Sequence, residues 1–302
     1  MSQAKKLIIG AGPTGMLTAQ GLAAEGDEVT IVSRSPRAMP AGIRHVALDV
    51  TDVAALTRLA EGVSTIFNCA MPRYDRWPQE FPPLAAAVLR AAEVSGADLV
   101  TLSNAYGYGQ VAGPMTESLP MAPQTVKGRV RATMWEEALA SRARVTEVRA
   151  SDYLGRDALS LYTLMTLPGV ISGQATHFQG DLDALHSWTY TLDVARTLMA
   201  ASRFDGAWGR AWHAPSNDLS VRALSIRIAD IAAAPRPILT RLSTDQWQAL
   251  TAGDPITREV TEMAYLYDLP CVLDSRATQQ ALAVKATAID EVIRDVLGMS
   301  EG

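Results

Sequence analysis

Leu7-Ile8-Ile9-Gly10-Ala11-Gly12-Pro13-Thr14-Gly15 is the stretch whose reading decides the fold. A short β-branched apolar run leads directly into G-x-G-x-x-G, and the residues that follow, Thr14 to Ala24, are rich in alanine and suit a helix. The glycine pattern alone is a weak signal. Between a strand and a helix it predicts a dinucleotide-binding turn. Gly10 permits the tight turn, Gly12 lets backbone approach a pyrophosphate, and Gly15 allows close helix–strand packing. Pro13 suits a first helical turn, where a missing N–H costs little. The helix start, with Thr14 in its first turn, offers free amides and partial positive charge to a phosphate. A glycine-rich turn with no ligand is the ordinary alternative.

The next strand end bears on which dinucleotide. A site for NAD places an acid there, about 20 residues beyond the glycines, to hold the ribose 2′-hydroxyl. This chain has Ser33-Arg34-Ser35, while Asp27 and Glu28 precede the strand. A guanidinium can pair bidentately with a 2′-phosphate that a carboxylate would repel. The expected cofactor is NADP, with NAD second; Arg34 as a solvated loop residue is the competing reading. Asp49 and Val50 follow the third strand, where Asp49 can accept from an adenine amino group. Either Asp49 or Asp52 can instead cap the next helix. Asn68, Cys69 and Ala70 end the fourth strand, where a turn of small residues would pass beneath the ribose and pyrophosphate. Cys69 has no basic neighbour in sequence and reads as a small packing residue rather than a nucleophile.

Working outward, His45–Leu48, Thr65–Phe67, Leu99–Leu102 and Arg144–Val148 repeat the short apolar pattern of strands buried on both faces. Helical stretches fall between them at 53–61, 83–95 and 128–140. This alternation predicts an α/β fold with a doubly wound parallel sheet of Rossmann type. After residue 150 the rhythm becomes irregular, with tryptophans at 188, 208, 212 and 247 and prolines at 168, 215, 235 and 237. The expected division is residues 1–150 as a dinucleotide-binding domain and 151–302 mainly as a smaller mixed segment for substrate, with the chain crossing back to the first part.

The 302 residues carry a net charge of −5, are 48% apolar and 20% charged, and include two cysteines far apart. Mixed charge disfavours a nucleic-acid partner, and no apolar run approaches the ~18 residues that span a bilayer. The run after Lys5-Lys6 is too short and too glycine-rich for a secretory signal. A cytoplasmic location is the expectation, without disulfides.

Several pieces together resemble the short-chain dehydrogenase/reductase superfamily, in its extended and atypical branch of NAD-dependent epimerase/dehydratases. They are Gly10–Gly15, Asp49–Asp52, Ser103–Gly109, Thr116–Pro120, Arg149–Gly155 and Trp188–Ala195. The resemblance covers residues 5–200, with a weaker tail. It implies a serine or threonine after the fifth strand and a tyrosine followed four residues later by lysine, whose charge lowers the tyrosine pKa. None of the eight tyrosines here has lysine four residues on. Alignment with the family puts Lys127 at the tyrosine position and Arg131 at the lysine position, with Asn104 or, shifted by one, Ser103 at the serine position.

Burial beside Arg131 and a cationic nicotinamide would lower the Lys127 pKa, making it a proton donor or a cofactor ligand. Two surface cations on an amphipathic helix are the alternative. Tyr106, on the loop leaving the fifth strand, is the second candidate for proton transfer. Tyr74 and Trp77 can line the substrate side, although nearby prolines are equally consistent with a rigid loop. Tyr153, His186 and Trp188 are further substrate-side candidates, His186 by binding or as an acid. The histidines lack metal-ligand spacing, so no metal is expected. The implied activity is an NAD(P)-dependent oxidoreductase acting on a small carbonyl-type substrate. A cofactor-retaining epimerase or a non-catalytic NADP-binding redox sensor are the alternatives, and relatives suggest a homodimer.

Overall fold

The computed structural model describes residues 4–299; residues 1–3 and 300–302, the outer ends of the two expected segments, lie outside that range. Its first half alternates as the sequence pattern predicts. The order is β1 (Lys5–Ile9), α1 (Pro13–Ala24), β2 (Glu28–Ser33), β3 (Ile43–Ala47), α2 (Val53–Leu59) and β4 (Thr65–Asn68). Then come α3 (Trp77–Ser95), β5 (Asp98–Asn104), α4 (Val126–Ala140) and β6 (Val145–Ala150). Leu7, Ile8 and Ile31 are fully buried because helices cover both faces of the sheet.

The second half contributes β7 (Asp152–Leu154), α5 (Leu167–Ser172), β8 (Thr176–Phe178), β9 (Leu185–Tyr190), α6 (Thr191–Ala201) and β10 (Ala211–His213). It continues with β11 (Asn217–Ser220), α7 (Val221–Ile231), β12 (Leu239–Arg241) and α8 (Thr244–Thr251). Four short helices follow: α9 (Pro255–Arg258), α10 (Tyr265–Asp268), α11 (Arg276–Leu282) and α12 (Ile289–Val296).

The main sheet has the order β10-β6-β5-β4-β1-β2-β3, with every pair parallel. β1 pairs with β2 on one side and β4 on the other, so the connections after β1 and β3 leave in opposite directions. A crevice opens at that switch point, beyond the carboxyl ends of the strands. The α/β expectation is confirmed, with two corrections. Trp212, read with the irregular tail, belongs to β10 on the main sheet. The helix expected from Pro83 begins at Trp77. Pro78 sits in its first turn, and Trp77 and Phe81, four apart, bury together against Met134 to hold the start despite Pro82 and Pro83.

A smaller mixed sheet, β11-β9-β7, and the pair β12-β8 lie beyond the crevice. Their core gathers Tyr162, Phe178, Trp188, Leu224, Ile228 and Trp247. Among the described residues no helix is long and apolar enough to cross a membrane.

Candidate cofactor and substrate site

The crevice is a cavity of about 950 Å³ that runs from the glycine turn into the second half of the chain. At one end the turn is built for close approach. Gly10 has φ +101°, and a side-chain carbon there would lie 2.7 Å from the Ala70 backbone. At Gly15 it would lie 2.1 Å from the Gly10 carbonyl oxygen. Gly12 differs, since a side-chain carbon would meet nothing within 4 Å. The protein's own packing does not require glycine there, and the open space leaves that backbone free for a ligand to approach. Gly12 precedes α1 and Pro13 opens it, with no side chain capping the first-turn amides. They are left to face an anion in the cavity. These features fit a dinucleotide pyrophosphate.

Gly10, Gly12, Pro13, Thr14, Gly15, Ser33, Arg34, Asp49, Val50, Cys69 and Ala70 all line the cavity. Ser33 Oγ lies 2.8 Å from His45 Nε2, and Arg34 is exposed at the rim. Arg37, which the sequence reading passed over, donates to the Ala11 carbonyl of the turn itself. Asp52 is the helix cap, accepting from Ala55 N at 3.0 Å, whereas Asp49 accepts from the Thr51 amide and hydroxyl and stays at the cavity wall. Burial pushes the Cys69 thiol up to about 12, so it stays protonated and is no nucleophile. Asn68 is a correction. It ends β4 facing away from the cavity, because successive strand residues alternate sides, and its side chain accepts weakly from Ala70 N.

Towards the middle, Ser103, Asn104 and Tyr106 line the wall after β5. Asn104 Oδ1 accepts from Tyr106 N, fixing the turn, and the Tyr74 hydroxyl lies 3.2 Å from that of Tyr106. Burial pushes Tyr106 up to about 12, although Tyr74 and Arg131 pull the other way. Its hydroxyl therefore carries a proton at neutral pH. Arg131 lies under this wall, its guanidinium carbon 4.3 Å from the Phe81 ring centre and 4.9 Å from that of Trp77. It donates weakly to the Leu102 carbonyl, and its buried Nε has no partner among the described residues.

Lys127 is the main correction. Its side chain is 1% exposed and does not line the cavity; its ammonium donates to Glu259 at 2.5 Å and Glu262 at 2.7 Å. Its partners are two carboxylates of the 255–263 segment, so the structure does not bring its ammonium to the cofactor or substrate side of the cavity. Tyr74, Trp77 and Tyr153 do line the cavity. His186 and Trp188 do not. His186 is fully buried between the rings of Trp188 and Tyr267, and burial pushes its imidazole down to about 4. Trp188 is locked in the core, with its indole N–H donating to the Leu219 carbonyl. Their strand runs through the middle of the small sheet, and both faces of it are covered.

The far chamber adds residues that sequence reasoning did not single out, namely Asp152, Tyr267 and Cys271, with Ile256 and Val260 above. The signal for Asp152 was an acid two residues beyond the end of β6 (Val145–Ala150); for the others there was none, because they come from short helices and loops.

A family model described as NAD(P)H-binding matches residues 10–201. The chain belongs to that NAD(P)H-binding family. No curated protein matches the sequence. Among solved structures, WbmH of Bordetella bronchiseptica in complex with NAD+ is similar at 18% identity, covering 98% of each chain with a TM-score of 0.76. UDP-glucose 4-epimerase of Thermotoga maritima with UDP-glucose shares 14% identity over 98% of each chain, TM-score 0.77. DesIV, the dTDP-glucose 4,6-dehydratase of Streptomyces venezuelae, with NAD and TYD bound, shares 20% identity, covering 97% of this chain and 96% of its own, TM-score 0.76. At these identities the likeness establishes a shared fold along nearly the whole chain. The resemblance to NAD-dependent epimerase/dehydratases thus holds for the fold, and NAD(P)H binding holds at the level of the family.

Proposed function

We propose that this NAD(P)H-binding protein is an enzyme of the atypical short-chain dehydrogenase/reductase type, with NADP(H) preferred and a small hydroxyl-rich carbonyl or alcohol as substrate. The observation that carries this is the continuity of the cavity. It joins the glycine turn to Tyr153, Leu161, Ile256 and Tyr267 of the second half, leaving room for a second molecule beside a dinucleotide. Bound there, a nicotinamide supplies or takes up hydride at a substrate carbon.

The chain's own residues do the rest. The α1 amides and Gly12 backbone hold pyrophosphate, Ser33 and Arg34 hold the adenosine ribose and its 2′-phosphate, and Asp49 and Val50 border the adenine. Ser103, Asn104 and Tyr106 meet the reacting end, where the protonated Tyr106 hydroxyl donates a hydrogen bond to substrate oxygen. Arg131 supplies positive potential from below, and Tyr74, Trp77 and Tyr153 wall the substrate. In this reading residues 4–150 form the dinucleotide-binding part, and most of the remainder covers the substrate.

A second reading is a cofactor-retaining epimerase, supported by the fold shared with the Thermotoga maritima UDP-glucose 4-epimerase. Incubation with NADP+ or NAD+ and a panel containing UDP-glucose and dTDP-glucose separates the possibilities. Accumulating reduced nicotinamide supports an oxidoreductase; sugar inversion without net reduction supports an epimerase. No conversion across the panel, with markedly different affinities for oxidised and reduced cofactor, supports a redox sensor instead.

A further inference from the structure

We infer that Asp152 is the group that takes up and returns the substrate proton. This rests on the function proposed above and names its acid–base residue. Asp152 opens β7 and lines the far chamber of the cavity. Among the described residues its carboxyl accepts no hydrogen bond and pairs with no cation, whereas Asp49, Asp52, Asp183, Asp193 and Asp274 all have partners. A carboxyl without partners is expensive inside a protein unless something else uses it. Here the open side is the cavity.

The surroundings show what it can bind. The groups that feel its charge are the Tyr106 hydroxyl from the turn after β5, the Tyr267 hydroxyl from α10 and the Cys271 thiol. Burial holds all three in their neutral forms. On the neighbouring β9, His186 is neutral as well, and on α12 Asp295 is engaged by Arg156. Arg131 of α4 lines the same cavity and reaches the Tyr106 hydroxyl but makes no ion pair with Asp152, and burial raises Asp152 to about 7. A group poised there exchanges protons readily at neutral pH. Neutral hydroxyls and a thiol around it select a neutral reacting end, a secondary alcohol or its ketone, rather than a charged one.

The step balances. In the oxidative direction the alcohol O–H bond breaks and its proton passes to a carboxylate oxygen of Asp152. The oxygen's electron pair closes the carbonyl, and the C–H bond leaves with both electrons as hydride to the oxidised dinucleotide. In reduction the protonated Asp152 returns the proton to the oxygen.

The test compares wild type with Asp152→Asn, which keeps the shape and removes the titration. Three readouts are taken: cofactor affinity by energy transfer from tryptophan, the carboxyl C=O band in pH-difference infrared spectra, and turnover of the best compound from the UDP-glucose and dTDP-glucose panel. The expected result is a wild-type carboxyl band titrating near pH 7 and missing in the variant. Cofactor affinity stays within about twofold, and turnover falls by about 10²- to 10⁴-fold where the panel yields a substrate. A band that persists in Asp152→Asn, a missing band in wild type, or undiminished turnover overturns the role of Asp152 while the cofactor reading stands. Failure of wild type to bind either cofactor overturns both.

Discussion

The Lys127 ammonium lies 2.7 Å from the Glu262 carboxylate, and the other oxygen of that carboxylate accepts from Val126 N at 2.8 Å. One acid thus neutralises the lysine and also meets free amides at the start of α4, where negative charge is favoured. The contact joins α4 to the 255–263 segment whose Ile256, Thr257 and Val260 close the cavity from above. Lys127 fastens that roof.

Lys127→Met is therefore expected to loosen the roof and leave the pyrophosphate site intact. Because Glu259 and Glu262 keep some solvent access, the cost falls below that of breaking a fully buried pair, at about 1–3 kcal/mol. Limited proteolysis should cut faster within 255–263, while cofactor affinity stays within about twofold. A large loss of cofactor affinity with an unchanged proteolysis pattern would return Lys127 to the cofactor.

The glycines separate structure from ligand contact. Gly15→Ala forces a carbon against the Gly10 carbonyl and should destabilise the fold by about 1–3 kcal/mol or more. Gly12→Ala meets open space in ordinary backbone, φ −75°, and should leave stability within about 0.5 kcal/mol. It should nevertheless weaken cofactor binding by about tenfold or more, since the added methyl stands where the pyrophosphate approaches. Thermal melts with and without cofactor check both.

Acid should destabilise the protein through its buried histidines. His186 and His213 are pushed down from 6.5 to about 4, chiefly by burial. Their contribution is fully present above pH 6.5 and is lost as pH falls towards 4, because only the unfolded chain then binds the protons. Each site is worth on the order of a few kcal/mol. Asp152 acts with the opposite sign: its contribution is present below the ordinary carboxylate range and lost as pH rises through about 7. Urea unfolding between pH 4 and 7 should show a shallower acid loss in His186→Phe than in wild type. An identical pH slope in the two would contradict a neutral, buried His186.

The parts of this molecule that were legible in the sequence share one property, a local cause. Strands covered on both faces need continuous apolar runs, and Gly10–Gly15 need no partner to reveal a tight turn, so the six strands and the pyrophosphate end could be read directly. β10 could not, being three residues long and recruited to β6 by pairing alone. Lys127 and Arg131 were correctly placed together on α4, but the acids that claim Lys127 lie about 130 positions along the chain, beyond any spacing argument. Asn68 fell to strand parity, and His186 with Trp188 fell to a sheet that covers both faces. Asp152 stood in a quoted motif, and only the cavity shows that nothing pairs with it.

Arg34 tests the choice between cofactors. It lines the cavity rim beside Ser33 without an acid at that strand end. Arg34→Ala should weaken NADPH binding by about tenfold or more and leave NADH nearly unchanged, narrowing the preference between them. Equal losses for both cofactors would show that Arg34 does not read the 2′-phosphate.

The most direct measurement is titration of the wild-type protein with NADPH and NADH, following energy transfer from its six tryptophans to the reduced nicotinamide. Saturable transfer is predicted for both, tighter with NADPH, and weakened in Gly12→Ala. The absence of saturable binding with either cofactor would contradict the reading of the cavity as a dinucleotide site, and the proposed hydride chemistry with it.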